Sequence, residues 1–345
     1  MIIRDNLEFH AGELREAPGF RGELLARIPA EIANRLYQRG KFIAAESVST
    51  EIRFVTDARV VEITLAAVKP EFGVELLELR VFFGDFEIPT SFWLKPGTVT
   101  TLRLTPQNLA IRKIKPEFLR KGPGIGFAPE VIRLTPQRGG LIYCGINTFG
   151  AAIRPPRPEE KPAKTCLFYG SSITNSSLEG FPIVAGKALG IDVINLGLSG
   201  SCHLEPELAD WMAAREDWNL AVIELGINAT WMTPEEFRRR ADHLLDAFTS
   251  RHPRKPLVLL TLFPSIARSE FLIEPKAEEE DRDAQFCEIL RELHSQYAKK
   301  GNLRLIEGKD ILTDLNGLGA DFLHPKSYGH AVMGLNLARL LAPLV

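Results

Sequence analysis

The stretch Thr165-Cys166-Leu167-Phe168-Tyr169-Gly170-Ser171-Ser172-Ile173-Thr174 decides how this chain is read. Its first five residues are mostly apolar and do not alternate; Gly and small hydroxyl side chains follow. A short continuous apolar run bounded by turn residues suits a parallel strand covered on both faces. The polar turn after it marks the carboxyl end of that strand, the place where open α/β sheets receive ligands.

The same rhythm recurs downstream. Asp192-Val-Ile-Asn-Leu, Leu220-Ala-Val-Ile-Glu-Leu, Leu257-Val-Leu-Leu-Thr-Leu and Leu303-Arg-Leu-Ile-Glu are further apolar runs, with helical periodicity between them. Thr233-Pro-Glu-Glu opens one such helix with a capping box and Pro at its first position. Phe237, Ala241, Leu244, Leu245 and Phe248 then form its apolar stripe. Strand and helix in alternation predict a three-layer α/β domain with a parallel sheet over residues 165–345.

Upstream the period changes. Glu51-Ile-Arg-Phe-Val-Thr, Val60-Val-Glu-Ile-Thr-Leu, Leu77-Glu-Leu-Arg-Val-Phe-Phe, Val99-Thr-Thr-Leu-Arg-Leu and Val131-Ile-Arg-Leu-Thr approach strict alternation. Residues 1–153 therefore read as an antiparallel β-sandwich, jelly-roll-like, with one short helix at 30–38. Gly122-Pro-Gly-Ile-Gly has no helix pattern after it, so it reads as a turn and not as a phosphate loop. Between the halves, residues 154–164 crowd Pro and charge together and read as a linker.

The totals narrow the function classes. With 345 residues, 45% hydrophobic and 25% charged, the chain has the balance of a globular protein with a sizeable core. A net charge of −2, with both signs interspersed, gives no electrostatic footprint for nucleic acid and no polybasic face for a membrane. No apolar run is long enough to span a bilayer, and the first residues lack a signal-like apolar core. The four cysteines lack metal spacing and read as buried free thiols. No metal motif appears, and the expectation is an enzyme without a cofactor. The sequons at Asn175 and Asn228 both fall in blocks expected to carry chemistry, where a glycan would fill the site. A cytoplasmic, bacterial setting is expected on that ground.

Four small polar blocks follow strand ends or precede a helix: 170–174, Gly197-Leu-Ser-Gly-Ser, Gly226-Ile-Asn-Ala-Thr and Asp321-Phe-Leu-His-Pro. Together they supply the parts of acyl transfer. A serine hydroxyl needs a base to become a nucleophile, and His324 can be that base. Asp321, three residues earlier, can turn back and hold the other ring nitrogen. The tetrahedral oxyanion needs fixed donors, for which the N–H groups of Ser172 and Gly200 and the Asn228 amide are candidates.

These blocks resemble the SGNH hydrolase family, the GDSL-like lipases and acylhydrolases, whose named residues match Ser172, Gly200, Asn228 and His324 in order. The likeness covers residues from about 164 to 345. Preceded by a β-sandwich, the chain is similar to two-domain members that include carbohydrate acetyl esterases and some acyltransferases. The resemblance implies a flavodoxin-like fold for the second half. Two departures stand out: Ser171 occupies the position where the family commonly has Asp, and Ala229 stands where Asp often follows the Asn. Alignment on Gly170 and Ile173-Thr174 selects Ser172 as nucleophile, with Ser171 the alternative. The second departure means that some other group must position Asn228.

Around these residues, His203 and Trp231 are substrate-binding candidates, against a helix-start role and core packing respectively. His330 reads as structural, the acidic run at 278–281 as a solvated helix start, and 264–274 as part of a pocket rim. The expected activity is hydrolysis of a small acyl ester, acetyl on a carbohydrate, through an acyl-Ser172 intermediate. An acyltransferase with the same triad and a non-catalytic carbohydrate-binding protein are the alternatives. The expected partner is a small-molecule ester, not nucleic acid or membrane; a homo-oligomer is left open.

Overall fold

The computed structural model describes residues 2–69, 76–119, 125–269, 272–274, 277–297, 299 and 302–345. The turn read at 122–126 and the rim segment 264–274 lie partly outside the described residues. By contacts the chain forms two compact units: Met1–Glu31, Phe42–Ala163 and Gly190–Ile194 make the first, and Ile32–Lys41, Lys164–Leu189 and Asn195–Val345 the second.

In the first unit the strands are β1 (Ile2–Arg4), β2 (Leu7–His10), β3 (Glu13–Glu16), β4 (Glu23–Ala26), β5 (Glu51–Thr56), β6 (Val61–Val68), β7 (Leu77–Phe83), β8 (Phe86–Glu87), β9 (Phe92–Leu94), β10 (Val99–Leu104), β11 (Ile132–Pro136), β12 (Gly140–Asn147) and β13 (Ile153–Arg154). One antiparallel sheet has the order β1-β2-β5-β11-β7-β8, with β13 on β5 and β9 on β7; the other runs β10-β6-β12-β4-β3. Alternation explains the core. Ile52 and Phe54, Val61, Ile63, Leu65 and Ala67, Leu77, Leu79, Val81 and Phe83, and Leu102 and Leu104 all enter one buried cluster fed by both sheets. The expected helix at 30–38 is two short ones, α1 (Ala30–Ala33) and α2 (Gln38–Ala44).

A buried charge network also belongs to this unit. Arg53 donates to both Asp192 oxygens at 2.7 Å, to Glu51 at 2.6 Å and to Glu8 at 3.2 Å. Arg133 bonds Glu51 in turn, at 2.8 Å from its Nε. Burial favours the neutral acid, yet Arg133 and Arg53 hold Glu51 well below the usual carboxylate range. Burial lowers the pKa of His10, whose Nε2 meets the Val193 carbonyl at 2.9 Å. The Pro-rich segment is likewise pinned, with Arg154 forked on Glu160 at 2.7 Å through both terminal nitrogens.

The remaining strands are β14 (Thr165–Tyr169), β15 (Asp192–Asn195), β16 (Leu220–Glu224), β17 (Leu257–Leu260) and β18 (Leu303–Ile306). They form one sheet of order β15-β14-β16-β17-β18, parallel from β14 through β18. Helix α3 (Pro116–Leu119) belongs to the first unit, and the second holds α4 (Phe181–Leu189), α5 (Pro206–Ala213), α6 (Pro234–Arg251), α7 (Ala277–Tyr297), α8 (Gly308–Ile311) and α9 (Ser327–Leu341). At α6 the Thr233 hydroxyl accepts from the Glu236 N–H, and Phe237, Ala241, Leu244, Leu245 and Phe248 are buried as the stripe requires. Among the described residues no helix is long and apolar enough to cross a membrane.

Candidate active site

Ser172 follows β14 in a turn that the chain closes on itself. The Asn175 N–H donates to the Ser171 carbonyl at 2.8 Å, and the Ile173 N–H to the Ser171 hydroxyl at 3.2 Å. Ser171 is fully buried beneath the turn, whereas Ser172 is half-exposed. Burial thus separates the two adjacent serines, and Ser172 is the one that solvent can reach.

Ser172 Oγ lies 2.8 Å from His324 Nε2, and His324 Nδ1 lies 2.9 Å from Asp321 Oδ2. With Nδ1 donating to the carboxylate, Nε2 is left to accept the serine proton. The loop that brings them together has Phe322 in the left-handed region at φ 52°. That geometry folds Asp321 back, so its other oxygen accepts from the N–H groups of Leu323 at 3.2 Å and His324 at 3.0 Å. Burial works against the charged carboxylate here, but those N–H groups and the imidazole outweigh it and hold Asp321 at about 2.

The oxyanion candidates sit on two other loops. Gly200 has φ 63°, a left-handed conformation that favours glycine; a Cβ there would come within 2.8 Å of the Arg39 guanidinium, a flexible end that would have to shift. Asn228 is held by Cys202, whose N–H donates to the Asn228 Oδ1 at 3.3 Å. This bond fixes the amide by its oxygen and leaves the Nδ2 donor for another acceptor. It is the positioning group that Ala229 does not supply.

His203 and Trp231 come together, with ring centroids 5.4 Å apart, edge to face. Trp231 is 62% exposed, so core packing is not its role. His203 lies in the loop ahead of α5, not at the helix start, and is largely buried. Tyr37 flanks its ring at 5.6 Å and is itself exposed. Burial, Arg240 and Arg39 all lower the His203 pKa. His330 accepts from the Phe181 N–H at 3.3 Å through Nδ1, and burial brings it to about 4. Among the described residues no group of His, Cys, Asp or Glu is placed to hold a metal.

Sequence reading did not find Tyr37, Arg39, Cys202 or Glu224 as neighbours of this site. For Tyr37 and Arg39 there is no local signal, because their partners lie more than 150 residues away. Glu224 did leave one: it is a charge inside the apolar run of β16, where a lone carboxyl is costly unless bonded.

A serine bonded to a histidine that is bonded to a carboxylate, at the carboxyl edge of a parallel sheet, defines a serine hydrolase by geometry. The family model for GDSL-like lipases and acylhydrolases matches residues 163–341. The chain belongs to that family and is an esterase of the SGNH kind. In fold it is similar to a salicylyl-acyltransferase from a tetracycline biosynthetic pathway, with TM-score 0.75, 18% identity, and 99% of this chain and 95% of that one covered. It is also similar to a Bacteroides ovatus protein assigned as a GDSL-like lipase, with TM-score 0.67, 16% identity and coverage of 98% and 96%. A family two carbohydrate esterase from Cellvibrio japonicus is a third, with TM-score 0.60, 12% identity and coverage of 99% and 96%. No curated protein matches the chain.

Proposed function

We propose that the chain hydrolyses a small acyl ester, acetyl on a carbohydrate, through an acyl-Ser172 intermediate. The observation that carries this reading is the unbroken chain from Ser172 Oγ to His324 to Asp321. As the Ser172 oxygen attacks the ester carbonyl, its proton passes to His324 Nε2. The carbonyl oxygen becomes an oxyanion, for which the N–H groups of Ser172 and Gly200 and the Nδ2 of Asn228 are the donors. His324 returns the proton to the leaving alcohol and the acyl group stays on Ser172. Water then attacks the acyl carbon and gives its proton to His324, which passes it to the departing Ser172 oxygen as collapse releases the acid.

The exposed rings of Tyr37 and Trp231 beside His203 support a sugar as the alcohol, since pyranose faces stack on aromatic rings. The likeness to a family two carbohydrate esterase is in keeping with this. The likeness to a salicylyl-acyltransferase supports a second reading, in which an acceptor alcohol replaces water at the acyl-enzyme. The first half is read as a jelly-roll-like β-sandwich joined at 154–164 to the catalytic half, in a bacterial cytoplasm. The buried Asn175 leaves no room for a glycan, which supports that setting.

A panel of nitrophenyl acyl esters and acetylated sugars, run with and without added alcohol acceptors, tests the proposal. Acetyl sugars should be turned over with water as the main acceptor. Transfer to alcohol outrunning hydrolysis would favour the second reading, and no turnover by either route would sink both.

A further inference from the structure

Glu224 ends β16 with its side chain almost fully buried, and Oε2 accepts from the Ser171 N–H at 2.7 Å and from the Thr174 hydroxyl at 3.1 Å. The two anchors flank Ser172 in sequence. A Cβ at Gly170 would come 2.4 Å from the Thr174 hydroxyl and 2.5 Å from Glu224 Oε2, so the glycine is what lets the carboxyl reach under the turn. The main chain of the same residue meets the next loop, where the Cys202 thiol is 3.8 Å from the Glu224 carbonyl. Cys202 in turn holds Asn228. Glu224 is therefore bonded directly to the nucleophile turn and, through Cys202, to the Asn228 donor.

We propose that Glu224 is the positioning residue that aims Ser172, fixing the turn so that Oγ meets His324 and the Ser172 N–H faces the oxyanion. The proposal rests on Ser172 being the nucleophile.

The charge state follows from the surroundings. Burial pushes the Glu224 carboxyl up, only partly offset by the Ser171 N–H and the Ser171 and Thr174 hydroxyls. A buried carboxylate without a cation is costly, and a negative charge beneath the turn would oppose the oxyanion forming above it. Oε1 has no hydrogen-bond partner among the described residues, so nothing there stabilises a full negative charge. A neutral acid keeps Oε2 as the acceptor for both anchors, and an amide oxygen can do the same.

Glu224→Leu, Glu224→Gln, Thr174→Val and the Thr174→Val/Glu224→Leu double variant separate positioning from mere packing. The readouts are kcat and KM on nitrophenyl acetate, the rate of Ser172 labelling by a fluorophosphonate, and circular dichroism for folding. Glu224→Leu should lose on the order of 100-fold in kcat and in labelling rate with KM within about threefold. Glu224→Gln should recover most of that loss, and the double variant should be no slower than Glu224→Leu alone. If Glu224→Leu does not fold, Thr174→Val decides, with about a fivefold fall in kcat at constant KM as the expected result. The proposal is overturned by a folded Glu224→Leu within threefold of wild type, by additive losses in the double variant, or by loss appearing in KM. Its failure is distinct from failure of the nucleophile assignment, because in that case the phosphonate would not label Ser172 of the wild-type protein at all.

Discussion

The Cys202 N–H donates to the Asn228 side-chain oxygen at 3.3 Å, and so ties the loop after β15 to the loop after β16. An amide held by its oxygen presents its nitrogen, which is the orientation an oxyanion donor needs. Asn228→Ala should lower kcat on nitrophenyl acetate by about 100-fold to 1000-fold with little change in KM. Asn228→Asp keeps the bond to Cys202 but removes the donor and adds a charge, and steady-state kinetics should rank it below the alanine variant.

Asp321 should prove indispensable without being the group that titrates in the working range. Asp321→Asn should lose about 1000-fold to 10,000-fold in kcat with the fold retained, because Nδ1 loses its acceptor. The folded carboxyl is at about 2, below its ordinary 3.8. What it contributes is therefore present above pH 4 and fades as pH falls toward 2. A carbon-13 NMR titration of the Asp321 carboxyl should find a midpoint near 2, moving up in His324→Ala; a midpoint above 4 in the wild type would contradict the assignment.

Trp231 offers a test of the sugar reading. Its ring is exposed beside His203, so Trp231→Ala removes contact area without opening a core cavity. KM for an acetylated sugar should rise about fivefold, the worth of roughly 1 kcal/mol of stacking. Nitrophenyl acetate, which has no sugar to stack, should change less than twofold.

The buried charges of the first unit predict an acid-sensitive fold. His10 has a lowered pKa through burial, with Arg53, Asp192 and Glu51 as its charged neighbours. The unfolded chain binds that proton more readily, so stability should begin to fall as pH drops below about 6.5. Arg133 and Arg53 hold Glu51 down, and Arg53 and His10 hold Asp192 down, against the effect of burial; their contribution is present above pH 4 and is lost below it. Melting curves from pH 8 to pH 3 should show both stages, and His10→Gln should flatten the first. Arg53→Met removes both guanidinium bonds to Asp192 and should cost about 3–5 kcal/mol by denaturant unfolding.

Strand and helix rhythm in the second half was legible because burial on both faces writes itself into local sequence. The apolar runs at 165–169, 220–224 and 257–260 are strands, and the Thr233 cap and stripe are those of α6. The alternating strands of the first half were legible for the converse reason, because burial on one face writes a period of two into the sequence. Strands at 7–10, 23–26 and 140–147 were not, because Leu7-Glu-Phe-His is buried throughout and the Gly140 strand carries a bulge at Tyr143/Gly145. At the site, Asp321 and His324 share one short loop, and Gly200 and Asn228 lie in small polar blocks after apolar runs, where the family resemblance singles them out. The groups that hold them in place do not: the Cys202 N–H is a backbone atom, and Tyr37 and Arg39 come from a distant segment.

The central claim is that Ser172, and not the buried Ser171, takes the acyl group. Trapping the acyl-enzyme with nitrophenyl acetate at low pH, followed by peptide mass spectrometry, tests it directly in the wild type and in Ser172→Ala and Ser171→Ala. A 42 Da acetyl adduct (the mass of C2H2O, roughly one ketene unit) on Ser172, retained in Ser171→Ala and absent from Ser172→Ala, is the predicted result. An adduct on Ser171, or hydrolysis by Ser172→Ala at the wild-type rate, would contradict it.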